Sequence, residues 1–89
     1  MAIFMVVPST SKERIKGAMA TEKEAGKIDF IDLPSGASFV SYHGTAQELS
    51  GLLGITNGTN GTGVVVAVSS YYGREAANIW DWVSSRWES

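Results

Sequence analysis

Two short segments hold most of the polar chemistry this chain can offer: Tyr42-His43-Gly44-Thr45 and Tyr71-Tyr72-Gly73-Arg74. Each follows an apolar run and leads towards a helical pattern. His43 is the only histidine, and the guanidinium of Arg74 presents a planar fork that suits an oxyanion. Helix N-termini carry unpaired N–H groups and partial positive charge, so two such turns side by side would hold an anion. Tyr42, His43, Thr45, Tyr72, Gly73 and Arg74 are therefore the candidate ligand residues, and a phosphate or nucleotide is the ligand class they suit. In the plainer account, the glycines serve tight turns, Thr45 caps a helix and Arg74 is solvated.

Catalysis finds less support. A general base needs its target within about 3 Å and a second group to orient it, and no residue is spaced to do this for His43. Ser9, Ser11, Ser69 and Ser70 lack a G-x-S-x-G elbow and read as caps and strand residues. Asp29 and Asp32 show no ligand spacing relative to His43, and cysteine is absent, so no metal and no cofactor is expected. The run Thr56 to Gly63 is rich in glycine and threonine, but a phosphate-cradling loop follows a strand and opens a helix with Gly-Lys-Ser/Thr. Here a helical pattern precedes it and a strand follows. Asn57 and Asn60 both stand in glycosylation sequons, and without a secretory signal neither is expected to be modified. The expectation is a protein that is not an enzyme.

The C-terminal segment points elsewhere. At about 100° per residue, Ala76, Trp80, Val83 and Trp87 share one helical stripe, with Ile79 at its margin. Trp82 falls off that stripe, beside Asn78 and Arg86, and Arg86 follows it at the i+4 spacing of a cation–π pair. A large ring with no place in its own core seeks a partner, and tryptophan and arginine dominate interface energetics. Trp82, Arg86 and Asn78 are thus the expected contact surface. The alternative places Trp82 over the margin of its own sheet or over its own helix end.

The elements that must position these residues follow from pattern. Ile3 to Val7 is a continuous apolar run of strand length, stopped by Pro8. Thr10 with Glu13 three residues later fits a capping box for a helix ending at Ala25-Gly26. Ile28 to Leu33 and Ser38 to His43 read as paired strands, joined by a type I turn with Pro34 at its second and Gly36 at its fourth position. Thr45 and Glu48 form a second capping box, and Gly54-Ile55 is the pattern of a Schellman stop. Val64 to Val68 is the strongest strand. It and Ile3 to Val7 are apolar at nearly every position, as for strands covered on both faces.

The order strand–helix–strand–strand–helix–strand–helix predicts an α+β fold, a ferredoxin-like β-α-β-β-α-β sandwich with an antiparallel sheet in order 4-1-3-2 plus a C-terminal helix. In that order the two polar turns share one sheet edge, about 10 Å apart. Such an architecture hosts many functions and licenses none by itself.

Eighty-nine residues suit one domain, 1–89. An apolar share of 44% against 18% charged is that of a folded chain rather than a disordered one. Seven basic against nine acidic residues leave a net charge of −2, too balanced for a nucleic-acid partner. The run Ala2 to Val7 is far shorter than the roughly 20 residues of a membrane span, and it lacks the flanks of a signal peptide. No membrane is expected, and the lack of cysteine fits a cytoplasmic setting. Two short helices cover one sheet face, so either the tryptophan helix or a second subunit must cover the other. A small protein-interaction module, forming a homodimer with the C-terminal helix at or near the seam, is the leading expectation.

Overall fold

The computed structural model describes residues 2–87. Four strands, β1 (Ala2–Pro8), β2 (Ile28–Asp32), β3 (Ser38–Tyr42) and β4 (Gly63–Ala67), form one antiparallel sheet. Their spatial order is β2-β3-β1-β4, which counted from the β4 edge reads 4-1-3-2. Three helices complete the described residues: α1 (Lys12–Glu24), α2 (Ala46–Leu52) and α3 (Ala77–Arg86). The strands β2, β3 and β4 end one residue earlier than their apolar runs suggest, although the Leu33 and Val68 N–H groups still donate across the sheet to Ala37 O and Ile3 O.

Alternation along the strands builds two cores. Phe4, Val6, Val40 and Ile28 face one side of the sheet and meet Ile15 and Met19 of α1, with Leu49 of α2 and Leu53 just beyond it. Ile3 and Phe39 face the other side and meet Ile79 and Val83 of α3. Helices α1 and α2 therefore share one face, and α3 lies alone on the opposite one. Each fully buried Val, Leu, Ile, Phe or Met contributes about 1.5–3 kcal/mol by leaving water. The better-filled layer is the α1/α2 side, where Phe4, Ile15, Met19, Leu49 and Leu53 are all wholly enclosed.

Local chemistry explains the element ends. The Glu48 N–H donates to Thr45 Oγ1 (3.1 Å) while the Thr45 N–H donates to Glu48 Oε1 (2.9 Å), the reciprocal cap that starts α2. At its other end Gly54 takes φ 73°, the Ile55 N–H donates to Ser50 O (3.0 Å) and the Gly54 N–H to Gly51 O (3.2 Å), a complete Schellman stop. The β2–β3 turn closes with the Gly36 N–H donating to Leu33 O (3.0 Å), as Pro34 at its second position favours.

The start of α1 departs from expectation. Its N-cap is Ser11, held at φ 52° with no side-chain cap bond, so Thr10 and Glu13 form no capping box. Thr10 is engaged elsewhere. Its hydroxyl accepts from the Thr62 N–H (3.0 Å), while the Ser9 and Thr10 N–H groups both donate to Thr62 O. This long-range knot ties the exit of β1 to the entry of β4, and it competes successfully with the local cap.

Candidate functional site

The two polar turns prove to be unlike. Tyr42 closes β3 half-buried, its ring 6.2 Å from Phe4, and His43 and Thr45 are exposed. Thr45 spends its hydroxyl oxygen on the α2 cap. On the other side, β4 ends at Ala67 and α3 begins only at Ala77, so Tyr72-Gly73-Arg74 lies inside an irregular connection rather than at a helix start. The residue that caps α3 is Ala76, which has no side-chain oxygen to offer. Tyr72 is fully exposed and Arg74 is exposed, whereas Tyr71 turns inward. Because α2 and α3 lie on opposite sheet faces, their N-termini do not converge in one layer. Among the described residues no hydrogen bond or ring contact joins the two turns.

The α3 side is better organised. Ile79 and Val83, one helical turn apart, are buried at its centre, so the apolar stripe sits about one position away from the one expected through Ala76 and Trp80. The aromatic residues flank it. Trp80 stacks on Tyr71 with centroids 5.6 Å apart and planes at 21°, and Trp87 meets the same tyrosine edge-on at 4.9 Å. On the opposite flank, the Arg86 guanidinium lies 4.5 Å from the centroid of Trp82, the expected cation–π pair.

Trp82 does not stand clear of its own chain. It is half-buried and packs against the α3 core, while Asn78 is exposed. Its neighbour Arg86 is held by Asp29 on β2, whose Oδ2 accepts from Arg86 Nη2 (2.6 Å) and Nε (3.0 Å). Arg86 thus lies at the β2 edge with the Trp82 ring against its guanidinium. Lys23 of α1 reaches the other oxygen of the same carboxylate (3.2 Å), so Asp29 joins the two helical layers around that edge. Partial burial pushes the Asp29 carboxyl up, but hydrogen bonds from Lys23, Arg86 and the Phe30 N–H together outweigh it, and the group sits below its ordinary value.

With α3 anchored at β2 and over Ile3, the far part of the same face stays uncovered. Val64 is 54% exposed, Val66 48% and Val7 41%. Beside them runs a mostly apolar groove of about 410 Å³, lined by Met5, Phe39, Val66, Tyr71, Tyr72 and Trp80. The sequence reading has β4 covered on both faces, and within this chain it is not. The signal available in the sequence is charge: residues 49–73 contain no Asp, Glu, Lys, Arg or His at all. It is the longest such stretch in the chain, ahead of residues 1–11 and 33–42.

A second polar constellation was hidden by sequence distance. Lys16 of α1 donates to both Asp32 of β2 and Ser38 of β3, and Ser38 Oγ donates to Asp32 Oδ1 (2.6 Å). Serine, lysine and carboxylate are the residue types of hydrolytic sites. Their arrangement here serves packing instead. Ser38 is only 1% exposed, so its oxygen meets no substrate. Its proton is directed to a carboxylate which partial burial raises, but which the bonds from Lys16 and Ser38 and the charges of Lys16 and Lys12 hold below its ordinary value. Such a weak base does not activate a hydroxyl. The trio satisfies a buried serine and clamps α1 to the β2–β3 hairpin.

Among the described residues there is no group of three or more His, Cys, Asp or Glu positioned to hold a metal ion, and no helix is long and apolar enough to cross a membrane. Comparison with protein-family models, with curated proteins and with solved structures returns no match for this chain.

Proposed function

We propose that this protein is a small non-enzymatic interaction module that works as a homodimer, with the β4 side of the α3 face at its seam. The observation that carries this reading is the uncovered apolar strip of Val7, Val64 and Val66 beside an aromatic groove, on a sheet face whose other half is closed by α3. Exposed apolar patches beside a groove commonly mark interaction sites. The strand order and the β-α-β-β-α-β element sequence support a ferredoxin-like assignment with the added helix. That arrangement leaves one sheet face free for helices or partners. The cytoplasmic setting suggested by the cysteine-free sequence is compatible with such a role.

In this reading α3 contributes less through Trp82 than through its opposite flank. Trp80, Tyr71 and the wholly exposed Tyr72 border the groove, and tyrosine and tryptophan are the residues interfaces favour. Trp82, Arg86 and Asn78 lie on the far side of the helix, where the Asp29 ion pair already occupies Arg86. The test is sedimentation velocity on the wild type and on Val66→Glu. A wild-type dimer that the charge converts to a folded monomer supports the reading. A wild type that stays monomeric at high micromolar concentration overturns it.

A further inference from the structure

The open valines belong to a strand whose outer edge is unpaired. Among the described residues β4 bonds to β1 and to no other strand. The Val68 N–H donates to Ile3 O (2.9 Å) and the Ser9 N–H donates to Thr62 O (2.8 Å), so the even-numbered positions of this segment bond towards β1. In an antiparallel ladder successive residues alternate in bonding direction, which turns the N–H and C=O groups of Gly63, Val65 and Ala67 to the outer edge. Proteins normally blunt such an edge with charge, proline, a bulge or a covering segment. This one has no proline and no charged residue from Leu49 to Gly73, and its register with β1 is regular across all five residues.

We infer that this edge pairs with the same edge of a second copy of the chain, antiparallel about a twofold axis, joining two four-stranded sheets into one of eight strands. The inference rests on the reading that the protein self-associates and specifies the contact through which it does so. Three features single out an identical copy. Groups close to a twofold axis meet their own duplicates, so an uncharged centre avoids like-charge repulsion there. Gly63–Ala67 meets that condition. Antiparallel pairing centred on Val65 also sets Val64 opposite Val66 of the other copy and Gly63 opposite its Ala67, so that small meets small and branched meets branched. The outward groups of Val65 then face each other as a hydrogen-bonded pair, exchanging both bonds.

The side chains support the same geometry. Val64 and Val66 share the α3 face with Val7, so two copies form one apolar strip that continues across the axis. Cross-strand pairs of β-branched residues are among the favourable ones. A partner recognised by charge would find nothing here to bind.

Amide hydrogen exchange on the intact wild-type chain tests this directly, read at concentrations where it is dimeric and where it is diluted to monomer. The Val65 and Ala67 amides should exchange at least about tenfold more slowly in the dimer, while Val64 and Val66, already bonded to β1, change little. A dimer in which Val65 and Ala67 exchange as fast as in the monomer overturns the edge pairing yet leaves association standing. A chain monomeric at every concentration removes both. Val65→Pro gives a second readout, since it deletes an outward N–H without breaking the β1 ladder. It should weaken dimerisation by about tenfold or more with α3 still docked, as reported by tryptophan emission. Unchanged dimer affinity in that variant contradicts the proposal.

Discussion

Arg86, in the last turn of α3, donates two hydrogen bonds to a single carboxylate oxygen of Asp29 on β2, at 2.6 and 3.0 Å. Buried Ile79 and Val83 seat the centre of α3 on Ile3 and Phe39, and this pair ties its last turn to the sheet. It holds one end of α3 at the β2 edge, with Trp82 under the guanidinium, while the β4 end of the same face is open.

If the pair is the anchor, removing either partner should loosen the end of α3 without unfolding the sheet. Arg86→Ala and Asp29→Ala are each expected to cost about 1 kcal/mol, because the groups are partly exposed and the cation–π contact adds little more than the ion pair. Urea denaturation should show the loss, and the double variant should cost less than the sum of the two. Full additivity would mean that the two side chains do not interact in solution.

The acid limb of stability has a definite sign. Asp29 and Asp32 both titrate below their ordinary value in the folded state, partial burial being outweighed by their lysine, arginine and serine donors. Their contribution is complete above the unfolded carboxylate range, near pH 4, and is lost as pH falls through the depressed folded values. The melting temperature should therefore decline below about pH 4 and be nearly flat from there towards neutrality. Asp29→Asn combined with Asp32→Asn should lower stability near neutrality and flatten that acid decline. An equally steep decline in the double variant would assign it to other groups.

Glycine positions give opposite expectations. Gly17 is exposed in the middle of α1 with open space where a Cβ would stand, so Gly17→Ala should stabilise by about 0.5–1 kcal/mol. Gly54 has φ 73°, and a Cβ there would come within 2.4 Å of Asn60 Nδ2, the atom that donates to Leu53 O. Gly54→Ala should destabilise by about 1–2 kcal/mol. Thermal melts of the two variants check both signs.

How far these relationships are legible in the sequence depends on the distance over which they act. Thr45 with Glu48, Gly54 with Ile55, and Pro34 with Gly36 are contacts within a few residues, and each appears where its spacing predicts. Thr10 misleads because a loop fifty-two residues later claims its hydroxyl. Trp82 misleads similarly: the wheel position is right, but Asp29, which draws its neighbour Arg86 down, is remote in sequence. The two glycine turns resemble each other as residue strings. What separates them is that one enters α2 at once while the other is followed by an irregular stretch before α3, on the opposite face. The open edge of β4 was legible only as missing charge between Leu49 and Gly73, a signal carried by no single residue.

Sedimentation equilibrium over a wide concentration range, on the wild type beside Val66→Glu, is the most direct test of the claim that the uncovered β4 side is a self-association surface. The expected result is a wild-type mass rising to twice that of the chain, and a folded variant that keeps the single-chain mass throughout. A wild type that holds the single-chain mass at every concentration, or a variant that dimerises as well as the wild type, would contradict it.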